Sequence, residues 1–375
     1  MTLPAPNRNR RRSAVLVLLI AASLVLQTRS PVSAQERPPF DLRWVLGDCP
    51  GCAMPWNLGR AWFTSRSDVW AVGAAGPHAG SGQMGYKVLL HTSDGGRTWK
   101  EVPETECYTA APSVSFLNER SGWVETCSSP ASEILLETRD AGRHWNDITG
   151  KFPVFPQILD GVHWWGIRTT PIIRSTDGRH WRNTLFATQD AGQNWSSSPL
   201  PYDSGDFPAV RLISPEVGWA ATVAEGRIVV FRTIDGGRTW DRSAIVPPRP
   251  AIDLRDLFFL DRSRGWLMAD FDPGETMRAE GSYVFATTDG GGTWRRQGAD
   301  AFDDDPAAWV SFLSVRLGFA YVAGSLAYTT DAGARWHRLE VPNYISNCQA
   351  LEGDFLCSAS GSTSPLIVLT IHPRL

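Results

Sequence analysis

Residues 92–99 read Thr92-Ser93-Asp94-Gly95-Gly96-Arg97-Thr98-Trp99, and the pattern Thr/Ser-x-Asp-x-Gly-x-x-Trp recurs along the chain. We call each copy an Asp turn. The full copies follow one another at intervals of about 42 to 54 residues, a period that indicates a repeat array or a propeller. Five further full copies end at Trp145, Trp195, Trp240, Trp294 and Trp336, and a shortened copy covers residues 175–181.

The composition of the Asp turn explains why it reverses the chain. Aspartate can accept hydrogen bonds from backbone amides a few residues further on, and glycine adopts the positive φ that a tight reversal needs. Each copy follows an apolar run such as Val88–Leu90 or Ile228–Phe231, which predicts strand, turn and strand. Repeated aspartates of this kind indicate a structural role rather than catalysis or metal binding. They are Asp94, Asp140, Asp177, Asp190, Asp235, Asp289 and Asp331.

A second signature precedes the Asp turns and predicts a hairpin. An apolar residue stands seven positions before an aromatic one, as in Phe116 and Trp123 or Phe312 and Phe319, and glycine often precedes the second residue. Polar, loop-forming residues lie between them, so each pair brackets a connection between two strands. The hairpin and the Asp turn together give each unit four antiparallel strands, which is one blade of a β-propeller.

The number of units predicts an all-β, seven-bladed β-propeller with four-stranded antiparallel blades. Units begin near residues 60, 112, 157, 209, 253, 308 and 347. A six-bladed ring is the alternative, with a divergent third or last unit. The last unit has a hairpin and a third strand but no Asp turn after them. We expect a strand near residues 40–45 to complete it, which closes the ring and removes an exposed sheet edge.

The paired signatures resemble those of the Asp-box, or bacterial neuraminidase repeat, proteins. A Gly-Trp hairpin, as at Gly122-Trp123, combined with Asp-Gly-Gly-x-Thr-Trp, as at residues 94–99, looks most like the photosystem II stability and assembly factor family. The resemblance covers roughly residues 57–371. It implies an exported, non-catalytic propeller that binds a protein partner as a scaffold or assembly factor, with a membrane-protein assembly as the implied partner.

The first 34 residues have the organisation of a signal peptide. An arginine-rich start precedes an apolar run over residues 14–26, and Val32-Ser33-Ala34 offers small residues for cleavage after Ala34. The run is shorter than the about 20 residues that a membrane span needs, so no transmembrane span is expected in the mature chain. Residues 35–375 are then expected to form a single propeller domain, in the periplasm or outside the cell.

The charge balance bears on the class of partner. Cleavage would remove five arginines and no acids, which changes the formal net charge from −3 to −8. A mildly acidic chain without a basic tail argues against nucleic acid as the partner.

The six cysteines of an exported protein indicate disulfides. One pair faces across a hairpin if Glu352-Gly353 is its two-residue turn, and a second pair flanks the hairpin of the second unit. The third pair is a C-x-x-C segment with no helix after it, which favours a local structural bond over a redox site. The candidate pairs are Cys348 with Cys357, Cys107 with Cys127, and Cys49 with Cys52.

Binding is expected on the face opposite the Asp turns, where several units carry long loops. The loops of this face are rich in acids, which is the ordinary composition of solvated loops and also fits a surface that binds a basic partner or a cation. The segment Asp270–Glu275 partly matches a calcium loop, but Pro273 occupies the third ligand position, so we expect no cofactor, with calcium as the one candidate. The candidate binding residues are Asp270, Asp272, Glu275, Asp303, Asp304 and Asp305.

A glycoside hydrolase or glycan-binding protein of the sialidase type is the alternative function, since Asp-boxes occur in such enzymes. Their Phe-Arg-Ile-Pro motif has no match before Asp94, and Phe231-Arg232-Thr233-Ile234 lacks the proline. Acids such as Asp270 and Asp303 could still supply a carboxylate pair. The sequence identifies no catalytic residue and no metal ligand, so a binding scaffold is the preferred function.

Overall fold

The fold of this chain is seven four-stranded sheets arranged as blades. The computed structural model describes residues 38–52, 57–75, 86–103, 105, 113–129, 132–171, 181–204, 209–271, 281–298, 302, 307–341, 343–360 and 366–374. Within these residues every sheet contains four strands, and neighbouring strands are antiparallel. The protein is an all-β, seven-bladed β-propeller, as the repeat period predicts.

Each of the first six blades takes four consecutive strands, and the seventh combines three strands with the first strand of the described residues. Blade 1 contains β2 (Asn57–Phe63), β3 (Val69–Ala75), β4 (Tyr86–Thr92) and β5 (Lys100–Glu101). Blade 2 contains β6 (Ser113–Phe116), β7 (Gly122–Ser129), β8 (Ser132–Thr138) and β9 (Asn146–Asp147). Blade 3 contains β10 (Gln157–Ile158), β11 (Trp164–Pro171), β12 (Trp181–Thr188) and β13 (Ser196–Ser204). Blade 4 contains β14 (Ala209–Leu212), β15 (Gly218–Ala224), β16 (Arg227–Thr233) and β17 (Asp241–Ile245). Blade 5 contains β18 (Ala251–Phe259), β19 (Gly265–Phe271), β20 (Gly281–Thr287) and β21 (Arg295–Gln297). Blade 6 contains β22 (Ala307–Phe312), β23 (Gly318–Val322), β24 (Ser325–Thr329) and β25 (His337–Glu340). Blade 7 contains β26 (Tyr344–Leu351), β27 (Asp354–Ser360), β28 (Ile367–Pro373) and β1 (Phe40–Leu46).

The ring is closed by pairing between the two ends of the propeller. Strand β1 runs antiparallel to β28 over its whole length, from Phe40 opposite Pro373 to Leu46 opposite Ile367. Phe40 is buried and packs edge-on against Phe319 of blade 6, with 5.1 Å between the ring centroids. The outer edge of β28 is therefore covered, and the N-terminal strand also contacts the neighbouring blade.

Hydrogen bonds within each Asp turn explain its recurring letters. In blade 4 the Thr233 hydroxyl donates to Asp235 Oδ1 at 2.9 Å and accepts from the Gly237 amide at 2.8 Å. The Thr239 amide donates to Asp235 Oδ1 at 2.9 Å, and Gly237 has a φ of 86°. The same hydroxyl-to-carboxylate bond occurs at Asp94, Asp140, Asp190, Asp289 and Asp331.

Both turns of a blade lie at one face of the propeller. In blade 4 the amide of Gly236, which follows the turn aspartate, donates to the carbonyl of Glu216 in the hairpin between the first two strands, at 2.9 Å. The equivalent bond joins the two turns of blades 1, 2, 3, 5 and 6. Because the first strand of each blade runs toward its hairpin, that strand ends at this face and begins at the opposite one.

Tryptophans from the hairpins join neighbouring blades. The Trp219 indole stacks on Phe259 of the next blade with 3.5 Å between the ring centroids, and its Nε1 donates to the carbonyl of Gly290 at 2.8 Å. Trp266 repeats this arrangement against Phe312, also at 3.5 Å. Trp219 and Trp266 are almost completely buried, so these side chains serve packing between blades and are not surface binding platforms.

Candidate functional site

The first strands of the blades enclose a cavity at the centre of the ring. Neighbouring first strands contact one another, as β14 and β18, β18 and β22, and β2 and β26 do. The cavity has a volume of about 630 Å³ and is lined by residues of β2, β14, β18, β22 and β26. We call it the central channel. The residues that matter for its chemistry are Arg60, Arg211, Arg255, Asp256, Trp309 and Tyr344.

Four of these first strands are bulged where they line the central channel. The pairing register shifts between Leu58 and Ala61 in β2 and between Leu254 and Asp256 in β18, and similar shifts occur in β22 and β26. The residues inside the shifts include Arg60, Arg255, Ala308 and Ser346, and all four line the channel. Bulges of this kind redirect side chains and are common beside functional sites. The channel wall is therefore irregular in four of the blades, where each first strand contains a bulge.

The arginines give the central channel a positive character. Arg255 is neutralised, since its Nε lies 2.5 Å from Asp270 Oδ2 and its guanidinium lies 3.2 Å from Asp253. Arg60 and Arg211 differ, because no carboxylate oxygen of the described residues lies within 4 Å of either guanidinium. The Arg211 guanidinium instead lies over the Phe258 ring, 5.5 Å from its centroid. Two guanidiniums of the channel lining therefore form no salt bridge with a carboxylate of the described residues.

Asp256 is the one carboxylate among the described residues that line the channel. Its Oδ1 accepts from the Leu257 amide at 2.8 Å, and its Oδ2 accepts from the Val310 amide of blade 6 at 3.0 Å. Burial raises its pKa above the usual value, against the opposing effect of these amides and of Arg211 and Arg60. Desolvation lowers the pKa of Arg211, an effect that Asp256 opposes and Arg60 reinforces. The three charges thus act on one another, with a net charge of about +1 when all are ionised.

Two aromatic side chains line the channel, Tyr344 at the start of β26 and Trp309 within β22. Tyr344 starts β26 and is 55% exposed, although it contacts Tyr321 edge-on at 5.2 Å. Trp309 stacks near the same Tyr321, with 6.4 Å between the centroids. Exposed aromatic groups next to arginines are typical of surfaces that bind protein segments.

Of the predicted acidic binding residues, the structure describes one, and that one is not on the surface. Asp270 lies in β19 and is fully buried. Its carboxylate is held by Arg255 and by the Ser282 hydroxyl, which donates to Oδ1 at 2.5 Å. Burial raises its pKa, while Ser282 and Arg255 oppose that shift. Asp270 is therefore corrected from a docking residue to a buried ion-pair residue, since β19 extends through Phe271 before the acidic loop begins.

The remaining acidic candidates lie outside the described residues, so an acidic binding surface and a calcium site stay predictions. These candidates are Asp272, Glu275, Asp303, Asp304 and Asp305. Among the described side chains, no group of three histidines, cysteines, aspartates or glutamates could hold a metal ion. The same described part contains no helix with the length and apolarity needed to cross a membrane.

The other predicted positions have structural roles where they are described. Cys348 and Cys357 lie directly opposite each other in β26 and β27 and are bonded at 2.02 Å, and Cys49 is bonded to Cys52. Six of the seven turn aspartates form the hydrogen bonds given above. Asp177 and Cys107 lie outside the described residues, as does the side chain of Cys127.

The central channel was not found from the sequence, although a signal for it exists. Arg60, Arg211 and Arg255 each stand one to four residues before the apolar residue that opens a hairpin, namely Phe63, Leu212 and Phe259. A charged residue at that place in the innermost strand of a propeller has to face the channel or to pair with another charge. A comparison of these positions between units identifies the arginines as candidate residues of the channel.

Comparison with known proteins shows similarity in sequence to a plant protein and in fold to several solved structures. No protein-family model matches the chain. The chloroplastic photosystem II stability/assembly factor HCF136 of Arabidopsis thaliana is 25% identical over 294 residues, which cover 69% of this chain and 64% of that protein. The chain thus matches less than two thirds of the length of this relative.

Two solved structures of YCF48 have the same fold. YCF48 bound to a D1 peptide superposes with a TM-score of 0.55 at 15% identity, covering 90% of this chain and 96% of the other. YCF48 from Cyanidioschyzon merolae gives 0.55 at 17% identity, covering 88% and 99%. At these identities the likeness establishes the fold. The chain resembles the photosystem II stability/assembly factor in sequence and YCF48 in architecture.

Proposed function

We propose that this chain is an exported, non-catalytic propeller that binds an acidic segment of a protein partner at its central channel and acts as a scaffold or assembly factor. The observation that carries the proposal is the pair Arg60 and Arg211, which line a cavity of about 630 Å³ and form no salt bridge with a described carboxylate, since Asp256 acts on them at longer range. Guanidiniums in such a place bind carboxylates strongly and with directional hydrogen bonds.

The shape and lining of the channel fit a protein segment. A volume of about 630 Å³ accommodates a few residues of an extended chain. Tyr344 and Trp309 offer apolar contact area in the lining that also contains the arginines. An acidic residue flanked by apolar ones would use both kinds of side chain. The binding energy would then come from a few arginine and aromatic contacts, as is usual in protein interfaces.

The described lining favours binding over glycoside hydrolysis. A glycosidase of the usual type needs two carboxylates about 5 to 9 Å apart. Asp256 is the one carboxylate that the described lining contains, and both of its oxygens accept backbone hydrogen bonds. This arrangement supports a role for the site in recognition.

The comparisons support the role as a scaffold or assembly factor, and the cysteines support export. YCF48 has been solved with a D1 peptide bound, and the Arabidopsis relative is described as a stability/assembly factor. We extend to this chain the general role of binding a protein during the assembly of a membrane-protein complex. Two disulfides in the described structure and the signal-like first 34 residues support export.

The test is a crosslinked pull-down from the envelope fraction of the host, identified by mass spectrometry. The baits are the native mature protein, the double variant Arg60→Gln/Arg211→Gln, and the control Arg43→Gln, which removes an arginine from the outer strand β1. We expect a defined membrane or exported protein with the native and control baits and its loss with the double variant. Equal recovery by all three baits would place the binding site elsewhere, and recovery of no protein would contradict the scaffold function.

A further inference from the structure

We propose that Asp256 is an internal competitor for the anionic group that the central channel binds, so that protonation of Asp256 strengthens binding. The inference rests on the proposed function, because it concerns the regulation of the same site. Asp256 stands in the channel with Arg60 and Arg211, and it provides the negative charge that an acidic ligand would otherwise supply to these two arginines.

The backbone fixes Asp256 in this position. One carboxylate oxygen accepts from the Leu257 amide and the other from the Val310 amide, at 2.8 and 3.0 Å. The Val310 amide belongs to the first strand of the next blade, so the carboxylate also ties two blades together. These two bonds hold the carboxylate at the channel wall, so a ligand anion would bind in its presence.

Arg255 and Asp256 are neighbours in sequence, and the bulge in β18 gives their side chains different partners. Arg255 lies inside the register shift and is engaged by Asp253 and Asp270. It therefore does not neutralise Asp256. The charges that act on Asp256 come from other blades, Arg211 from β14 and Arg60 from β2. This leaves one carboxylate opposed by two guanidiniums that form no salt bridge with any acid of the described structure.

The other elements packed around the cluster contribute neutral groups. From β26, the amides of Asn347 and Gln349 bond to the backbone of Ala61 and Phe63. From β22, the Val310 amide donates to Asp256, and the nearest acid on β19, Asp270, is paired with Arg255. No histidine occurs among the described residues that line the channel. Asp256 is thus the group of the described lining that can change its charge in mildly acidic solution.

The sign of the effect follows from this charge balance. Burial raises the pKa of Asp256, so it takes up a proton at a higher pH than a free aspartate does. Protonation changes the net charge of the cluster from about +1 to about +2, which favours a bound anion. By linkage, a bound anion favours the protonated form, so binding should be accompanied by proton uptake at pH values near the pKa of Asp256.

The experiment is isothermal titration calorimetry of the mature protein with inorganic sulfate, whose charge stays constant in mildly acidic and neutral solution. We compare the native protein, Asp256→Asn, the double variant Arg60→Gln/Arg211→Gln, and the control Asp241→Asn, an exposed acid of the outer strand β17. Asp256→Asn should bind sulfate about tenfold more tightly at neutral pH, which corresponds to about 1.4 kcal/mol. The affinity of the native and control proteins should rise as the pH falls, and that of Asp256→Asn should not.

Proton uptake supplies a test that needs only the native protein. Titrations at one acidic pH in two buffers with different ionisation enthalpies give the number of protons taken up with sulfate, which should be positive. Zero uptake over the whole acidic range, or an Asp256→Asn variant with native affinity and native pH dependence, would overturn the role of Asp256 alone. Absence of sulfate binding to the native protein at every pH, or equal binding by the double variant, would instead contradict anion recognition by the channel and with it both proposals.

Discussion

The side-chain amide of Asn347 forms two hydrogen bonds with the backbone of Ala61. Its Nδ2 donates to the Ala61 carbonyl at 3.0 Å, and its Oδ1 accepts from the Ala61 amide at 2.8 Å. Gln349 repeats this arrangement with Phe63, at 3.0 and 3.1 Å. The side-chain amides of blade 7 thus bond to the backbone of the first strand of blade 1. They supply the donors and acceptors that the backbone of a neighbouring strand would supply in a sheet. These bonds join blades whose paired residues are 286 positions apart.

Removing one of these amides should weaken the closure of the ring. Asn347→Ala leaves the amide and the carbonyl of Ala61 without their side-chain partners in a largely buried place. An unpaired buried backbone group costs about 1–3 kcal/mol, so we expect the free energy of unfolding to fall by about that amount. Urea denaturation followed by tryptophan fluorescence measures it. Asn146→Ala, an exposed site in β9, is the matched control and should have little effect; equal losses at both sites would contradict this role of Asn347.

In blades 2, 5 and 6 close packing requires the glycine that precedes the second aromatic residue of the hairpin. A Cβ on Gly318 would lie 2.4 Å from an atom of the Phe312 ring, and Gly122 and Gly265 show the same approach to Phe116 and Phe259. Phe312 cannot move aside, because it is buried and stacks on Trp266.

Gly318→Ala should therefore destabilise the protein by about 1–3 kcal/mol, as overpacking of a core usually does. Gly161→Ala is the control, since a Cβ added there would meet no heavy atom within 4 Å and the change should be nearly neutral. Thermal unfolding of both variants separates the two effects. A Gly318→Ala variant as stable as the native protein would show that the Phe312 side chain can move to accommodate the added Cβ.

Features that depend on local contacts could be predicted from the sequence. An Asp turn makes its hydrogen bonds within eight residues, so each copy can be recognised by its composition. The bonded pair Cys348 and Cys357 follows from a two-residue turn that fixes the register of one hairpin. The repeat period then gives the number of blades.

The central channel depends on contacts between blades, so the recurring arginine positions could mark charged residues of the innermost strands but not which of them meet. Arg60, Arg211 and Asp256 belong to three different blades, and the bulges that direct the channel wall leave no fixed sequence pattern. Asp270 was misplaced for a related reason. Its acidic neighbours indicate a loop, whereas its partner Arg255 lies on another strand and keeps it in the buried part of β19.

The buried position of Asp270 predicts a loss of stability on substitution. Asp270→Asn removes the charge that pairs with Arg255 and weakens the bond from Ser282. We expect the free energy of unfolding to fall by about 2–3 kcal/mol, less than for a fully buried pair, because the Arg255 side chain is 39% exposed. Chemical denaturation measures the loss. Asp253→Asn, whose carboxylate is 47% exposed, should cost less than about 1 kcal/mol; a native-like stability of Asp270→Asn would contradict the structural role.

The Asp turns predict that the propeller loses stability in acid. The Thr239 hydroxyl and amide lower the pKa of Asp235 to about 2, Thr293 does the same for Asp289, and His144 for Asp140. An unfolded aspartate has a pKa of about 3.9, so each turn binds fewer protons when folded. The stabilisation is therefore complete above about pH 5 and is lost as the pH falls toward about 2.

Asp235→Asn tests this relation between the turn and the pH. At neutral pH the variant should unfold at a lower temperature than the native protein, because the amide group cannot accept at both positions that the carboxylate uses. The gap between the two unfolding temperatures should close as the pH falls through about 2, where the native carboxyl group becomes protonated. Circular dichroism melts over this pH range give both curves, with Asp241→Asn on the neighbouring outer strand as the control. A gap that persists unchanged in acid would show that Asp235 stabilises the turn by shape and not by its charge.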